Sequence, residues 1–171
     1  GLGTMEKQHK TLLARGPGRI SPFFIPMMIL NMASGMFSLY NGLRGPNLAP
    51  CSACATASHA IGEAWRTLVM GDADVMLAGG TEAAIHPLNI AAFANMMALS
   101  KSTNDPTTVS RPWDTGRDGF VLGEGAGALV LESEEHALAR GARIYAVVMG
   151  AGVTADSHDI AQPDPKGRGG T

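Results

Sequence analysis

The sequence predicts an α/β layered fold. Three observations lead there. Short apolar runs of strand length alternate with longer stretches of helical spacing. Hydrophobic residues make up 45% of the chain against 16% charged, the balance of a globular core former. Glycine is abundant, at 22 of 171 residues, and recurs beside apolar residues, as close packing of helix on sheet requires.

The elements follow in chain order. Met5 to Ala14 has helical spacing, and Gly16-Pro17-Gly18 stops it. After a loop opened by Ser21-Pro22, Pro26 is expected to start an apolar helix running to about Tyr40. Ala33, Ser34 and Gly35 would permit close packing there, and Gly42 and Gly45-Pro46 end it. Asn47 to Pro50 reads as a short extended segment. A helix is expected from about Ala55 to Met70, with Ile61, Trp65 and Leu68 on one stripe, broken by Gly71-Asp72. Val75 to Ala78 is short enough for a buried parallel strand ended by Gly79-Gly80.

Ile90 to Leu99 looks helical. Ser100 to Gly119 is polar, with Pro106 and Pro112, and reads as an excursion or lid-like loop. Phe120 to Leu131 alternates glycine with apolar residues, as a strand crossing a crowded core would. Glu132 to Arg140 is a helix with Gly141 placed to cap it, and Ile144 to Gly150 is a further apolar strand. The opening Gly1-Leu2-Gly3-Thr4, without methionine, and the ending Gly169-Gly170-Thr171, in mid-loop by composition, read like cuts through a longer protein; processing or cloning would give the same picture.

Several function classes drop out. A net charge of −2 with no basic block argues against nucleic acid. No apolar run reaches membrane-spanning length, and no signal peptide opens the chain. Two cysteines three apart would not staple a fold, so a reducing compartment is the default. The histidines fall at no metal-ligand spacing and no metal is expected.

The richest stretch is Pro50-Cys51-Ser52-Ala53-Cys54-Ala55-Thr56-Ala57-Ser58-His59-Ala60-Ile61-Gly62. It sets a cysteine among small residues just before an amphipathic helix. If the helix starts near Ala55, its unpaired N–H groups and its dipole point at the Cys54 sulfur. That favours a thiolate and an oxyanion on an acylated thioester. A redox Cys51-x-x-Cys54 pair is the rival chemistry. An inert, packed thiol is the bland one.

His59 is a poor base for Cys54. Five residues on, it lies about 140° around the helix from the cysteine, so a histidine satisfied by a nearby backbone group is the expectation. His86, before Pro87, reads as a solvated loop residue, and His136 as structural. Arg111 to Asp114 and Arg117-Asp118 carry paired opposite charges in one loop, where a structural salt-bridge network is at least as good a reading as catalysis. Gly123, Gly125 and Gly127 lack the spacing of a nucleotide loop and read as permitting close backbone approach.

Ser52-Ala53-Cys54-Ala55-Thr56 with His59 and Gly62, Gly71-Asp72-Ala73-Asp74, Ala78-Gly79-Gly80-Thr81-Glu82, Ala98-Leu99-Ser100, Asn104-Asp105-Pro106, Ser110-Arg111-Pro112-Trp113-Asp114, Arg117-Asp118-Gly119-Phe120-Val121 and Gly123-Glu124-Gly125-Ala126-Gly127 together resemble the elongating β-ketoacyl-acyl carrier protein synthases, types I and II. The ordered set covers nearly the whole chain. The resemblance implies part of a thiolase-like, layered α/β/α/β/α fold, with residues 1–135 in the later part of the N-terminal half and 136–171 opening the C-terminal half. It implies an acyltransferase that performs decarboxylative Claisen condensation of an acyl-cysteine thioester with malonyl-acyl carrier protein in fatty acid elongation.

Residue by residue, the resemblance makes Cys54 the acylated nucleophile, with its own N–H as one oxyanion donor. Phe93 would line the acyl pocket. Asn89, where several relatives have glycine, would shorten or reshape that pocket. Phe24 would line the pocket of a neighbouring subunit, so a homodimer is implied, with Asn47 to Ser52 pairing across it. Met97 stands where bacterial relatives often carry an arginine near the carrier-protein entrance, and Asp159 where many have histidine. The family's two catalytic histidines, its lysine and its second oxyanion donor would lie beyond Thr171, so the segment alone is expected to condense nothing. The implied partner is acyl carrier protein, with no cofactor. The compartment is the cytoplasm or its equivalent in an organelle. A polyketide ketosynthase would share Cys54. A non-catalytic chain-length factor would have lost it.

Overall fold

A computed structural model describes residues 1–170. It contains six helices and two strands: α1 (Leu2–Arg15), α2 (Met32–Asn41), α3 (Thr56–Val69), β1 (Val75–Ala83), α4 (Pro87–Asn95), α5 (Pro106–Val109), β2 (Glu124–Glu132) and α6 (Glu134–Ala139). The strands pair in a two-stranded sheet. Two compact units divide the chain. One comprises Gly1–Ala49 with Thr81–Gly127; the other comprises Pro50–Gly80 with the residues from Ala128 on.

In the first unit, α1 ends at Gly16, whose φ of 79° and N–H bond to the Leu12 carbonyl close the helix where the sequence predicts. The second apolar helix starts later than expected. Residues 23–29 form turns that mix bonds to the third and fourth preceding carbonyls, among them Met27 to Phe23 and Met28 to Ile25. Pro26 has no N–H to donate, so a continuous ladder cannot run through it, and the regular helix begins only at Met32. His86 is not a free loop residue. Its Nδ1 accepts the Leu88 N–H at 3.3 Å and caps α4, while Nε2 lies 2.9 Å from the Glu6 carboxylate.

The polar excursion is an ordered loop. A parallel bridge between Leu99 and Phe120 closes it. Asp118 ties its two ends, accepting from the Ser100 hydroxyl at 2.5 Å and the Lys101 N–H at 3.0 Å. Those bonds, the hydroxyl first, hold the Asp118 carboxyl below the usual carboxylate range. The expected salt-bridge network is absent among the described residues. The Arg111 guanidinium donates to the Thr108 carbonyl and that of Arg117 to the Asp114 carbonyl, because turn carbonyls within three residues are closer than any carboxylate.

In the second unit, α3 buries its small residues Gly62, Ala64 and Thr67, while Ile61, Trp65 and Leu68 are half-buried. It ends at Gly71, with φ 78° and bonds from Gly71 to Leu68 and Asp72 to Thr67, the double-bonded left-handed cap. α6 ends the same way at Gly141. The strand expected to stop at Gly79-Gly80 continues to Ala83. Its glycines serve contact instead: a Cβ on Gly80 would come within 2.8 Å of the Ala57 Cβ.

Burial is sparse. The buried hydrophobic residues are Ala64, Ala78 and Ala137, and Val75 and Leu77 are 43% and 44% exposed. β2 is exposed over most of its length, and nothing lies within 4 Å of a Cβ added to Gly123, Gly125 or Gly127. The crowded-core reading of that strand and the close-approach reading of its glycines are therefore both corrected. Ile144 to Gly150 has no ladder partner among the described residues and is not a strand. Accessible surface totals 13,256 Å², where a folded monomer of this mass would expose about 8,000 Å². Large apolar side chains are among the exposed residues, including Leu39, Tyr40, Val147 and Met149.

Candidate active site

Cys54 sits in a one-turn 3₁₀ segment, Ala53–Ala55, that leads directly into α3. The helix proper starts at Thr56, one residue later than expected, and the cysteine is exposed at its mouth. Ala55 donates its N–H to the Ser52 carbonyl at 3.1 Å, and Thr56 donates to the Ala53 carbonyl. The Cys54 N–H takes no part in these bonds. Small neighbours, Ala53 and Ala55, leave the approach to the sulfur open. The turn is sharp: Ala53 has φ +51°, in the left-handed region that an alanine enters at a cost of about 1–2 kcal/mol. A thiol held on a strained turn at a helix start is the geometry of an exposed nucleophile.

The preceding residue but one, Ser52, is held at three points. Its N–H donates to the Thr56 hydroxyl at 2.8 Å, its carbonyl receives Ala55, and its hydroxyl lies 2.5 Å from His59 Nδ1. His59 is thus satisfied close by, as expected of a histidine on this helix. Its partner, however, is a side-chain hydroxyl and not the backbone group expected. The Ser52–His59 pair escaped sequence reasoning because the 3₁₀ turn resets the helical phase between them; the seven-residue spacing was its only trace. Cys51 is exposed and, like Cys54, a free thiol.

The other predicted site residues belong to the first unit. Asn89 and Phe93 stand four apart on α4, hence on one face of it. Asn89 Nδ2 donates to the Ala84 carbonyl at 3.0 Å, which pins the side chain back towards the end of β1. Phe93 is half-buried, edge-on to Phe120 with ring centroids 5.3 Å apart. Phe24 is half-buried in the turns before α2. Met97 is 74% exposed at the end of α4 with φ +56°. His158 and Asp159 are exposed, and the His158 N–H donates to Asp156. Among the described residues there is no group of three His, Cys, Asp or Glu side chains able to hold a metal, and no helix long and apolar enough to cross a membrane.

Residues 1–137, four-fifths of the chain, match the family model described as the N-terminal domain of β-ketoacyl synthase. The chain belongs to the β-ketoacyl synthase family. It is 50% identical over 170 residues to 3-oxoacyl-[acyl-carrier-protein] synthase 2 of Vibrio harveyi, and 53% identical over 171 residues to the protein of that name from Synechocystis. These alignments cover 99% and 100% of this chain and 41% of each relative, so the chain spans about two-fifths of their length. Among solved structures, a β-ketoacyl synthase from Burkholderia phymatum is similar with a TM-score of 0.84 and 37% identity, over 92% of this chain and 39% of that one. A chain of a type II polyketide acyl-carrier protein in complex with its ketosynthase follows at 0.77 and 32%, covering 84% and 37%. The fold is the thiolase-like ketosynthase fold, present in part.

Proposed function

We propose that this chain is the nucleophile-bearing part of a condensing enzyme of fatty acid elongation. The observation that carries the reading is Cys54, exposed on a pinned and strained turn immediately before α3, with its own N–H outside the turn's hydrogen bonds. In this reading the Cys54 sulfur attacks the thioester carbonyl of an acyl group carried by acyl carrier protein. The Cys54 N–H stabilises the oxyanion, and the carrier thiol leaves. Malonyl-carrier protein then loses carbon dioxide, and the resulting carbanion attacks the cysteine-bound acyl carbonyl, forming the new carbon–carbon bond as the bond to sulfur breaks and the Cys54 thiolate leaves. The groups that drive the second half-reaction belong to the longer protein, as does the homodimer to which Phe24 and Asn47 to Ser52 would contribute. Phe93 lines the acyl pocket, and Asn89 limits its depth. Residues 1–135 would form the end of the N-terminal half and 136–171 the beginning of the next.

The roughly 50% identity to 3-oxoacyl-[acyl-carrier-protein] synthase 2, against 32% to a chain of a polyketide complex, favours fatty acid elongation. The test is mass spectrometry of the full-length protein after exposure to acyl-loaded carrier protein, and separately to cerulenin. One adduct on Cys54 in each case is expected. No adduct there, or a Cys51–Cys54 disulfide as the resting state, would refute the reading in favour of redox chemistry.

A further inference from the structure

The strained turn that carries Cys54 cannot hold itself. Ser52 (φ −147°, ψ 43°) and Ala53 (φ +51°) are two consecutive residues outside regular conformations, and such a pair persists only where its surroundings over-determine it. The bonds from Ala55 and Thr56 belong to the turn and to the first residue of the helix. The remaining tie comes from deeper in α3: His59, half-buried in its fourth position, meets the Ser52 hydroxyl at 2.5 Å. The helix at that point is itself fixed, since Ala57 packs against Gly80 and Gly62 against Ala151.

We infer that His59 is a positioning residue for Cys54, acting through the Ser52 hydroxyl to hold the nucleophile turn in its bent form. The hydroxyl both donates and accepts, so the bond forms with either imidazole tautomer. His59 thus orients the turn without exchanging a proton with the thiol. This inference rests on the reading of Cys54 as the acyl-accepting nucleophile.

The test uses the full-length enzyme and three variants. S52A removes the hydroxyl. H59N keeps a polar atom where Nδ1 stands, and H59Q moves it one bond further out. The first-order rate of Cys54 acylation from a saturated acyl-carrier protein thioester is followed by intact mass. S52A and H59Q are expected to slow it about tenfold, the loss of roughly one hydrogen bond's worth of preorganisation, with the half-saturating donor concentration unchanged within about twofold. H59N is expected to restore the rate to within about threefold, and all melting temperatures to stay within a few degrees. Equal rates in H59Q and wild type, or H59N as slow as H59Q, would overturn the inference. If wild type takes no acyl group at Cys54, the functional reading fails. The inference is then still decided by the alkylation rate of Cys54 with iodoacetamide, where the same order of variants is expected.

Discussion

Gly80 of β1 and Ala57 of α3 are in such close contact that a methyl group on the glycine would meet the Ala57 Cβ at 2.8 Å and its Cα at 3.3 Å. The strand glycine thereby sets the depth at which the first turn of α3 lies on the sheet, three residues from Cys54. Gly80→Ala is expected to push that turn outward, costing about 1–3 kcal/mol by overpacking. Cys54 alkylation with iodoacetamide is expected to change rate together with the urea midpoint. A variant with the wild-type midpoint would show that the contact sets nothing.

Met97 occupies the left-handed position of a helix cap. At the end of α4, Met97 bonds to the Ala94 carbonyl and Ala98 to that of Phe93, the same double pattern that closes α3 and α6. Those two ends use Gly71 and Gly141; this one uses methionine at φ +56°. Met97→Gly removes the Cβ clash and is expected to stabilise the protein by about 1 kcal/mol, read as a rise in the urea midpoint. A lower midpoint would mean that the methionine side chain stabilises the cap by more than its backbone costs.

Gly119 is irreplaceable for a different reason. Its φ is +143°, and an added Cβ would lie 2.5 Å from the Leu99 carbonyl carbon and the Ser100 nitrogen. These are backbone atoms that cannot yield. Gly119→Ala is expected to open the Leu99–Phe120 bridge at a cost of at least about 2 kcal/mol. Limited proteolysis would detect new cleavage between Lys101 and Arg117, which the parent protein should resist.

Glu132 makes stability depend on acid. The Arg140 guanidinium pairs with it, Nε at 2.8 Å from Oε2 and the terminal nitrogen on Oε1, and His136 Nδ1 donates at 2.8 Å. The arginine bonds first, then the histidine bond, hold the Glu132 carboxyl down at about 2. A carboxyl whose pKa is lower in the folded state stabilises the fold above its unfolded value near 4.5. That contribution is lost as pH falls towards 2. The difference in urea midpoint between the parent and Glu132→Gln is therefore expected to shrink steadily as pH falls below 4.5. A difference that did not change with pH would rule out this linkage.

Local chemistry was legible wherever one residue decides the outcome. Gly71 and Gly141 stop their helices as read, because a left-handed cap needs little beyond the glycine itself, and Gly16 stops α1 with its own positive φ. The Cys54 turn was legible as a cysteine before a helix, from the small residues and the onset of helical spacing. The exposed strand β2 and the unpaired Ile144 to Gly150 segment were beyond composition, because strand formation and burial depend on what lies alongside. Pro26 is a local matter: with no N–H to donate, it delays the regular helix to Met32.

The sequence by itself determined the glycine stops after α3 and α6 and the placing of Cys54 just before a helix, since these depend on backbone preferences and residue chemistry within a few positions. The tertiary structure alone decided that β1 runs on through its glycines to meet α3, that Asp118 ties the ends of its loop, and that Ser52 pairs with His59. Each of those depends on atoms brought together by a packed helix, a closed bridge or a reset helical phase. Periodicity encodes direction along one element and carries no information about the distance to another.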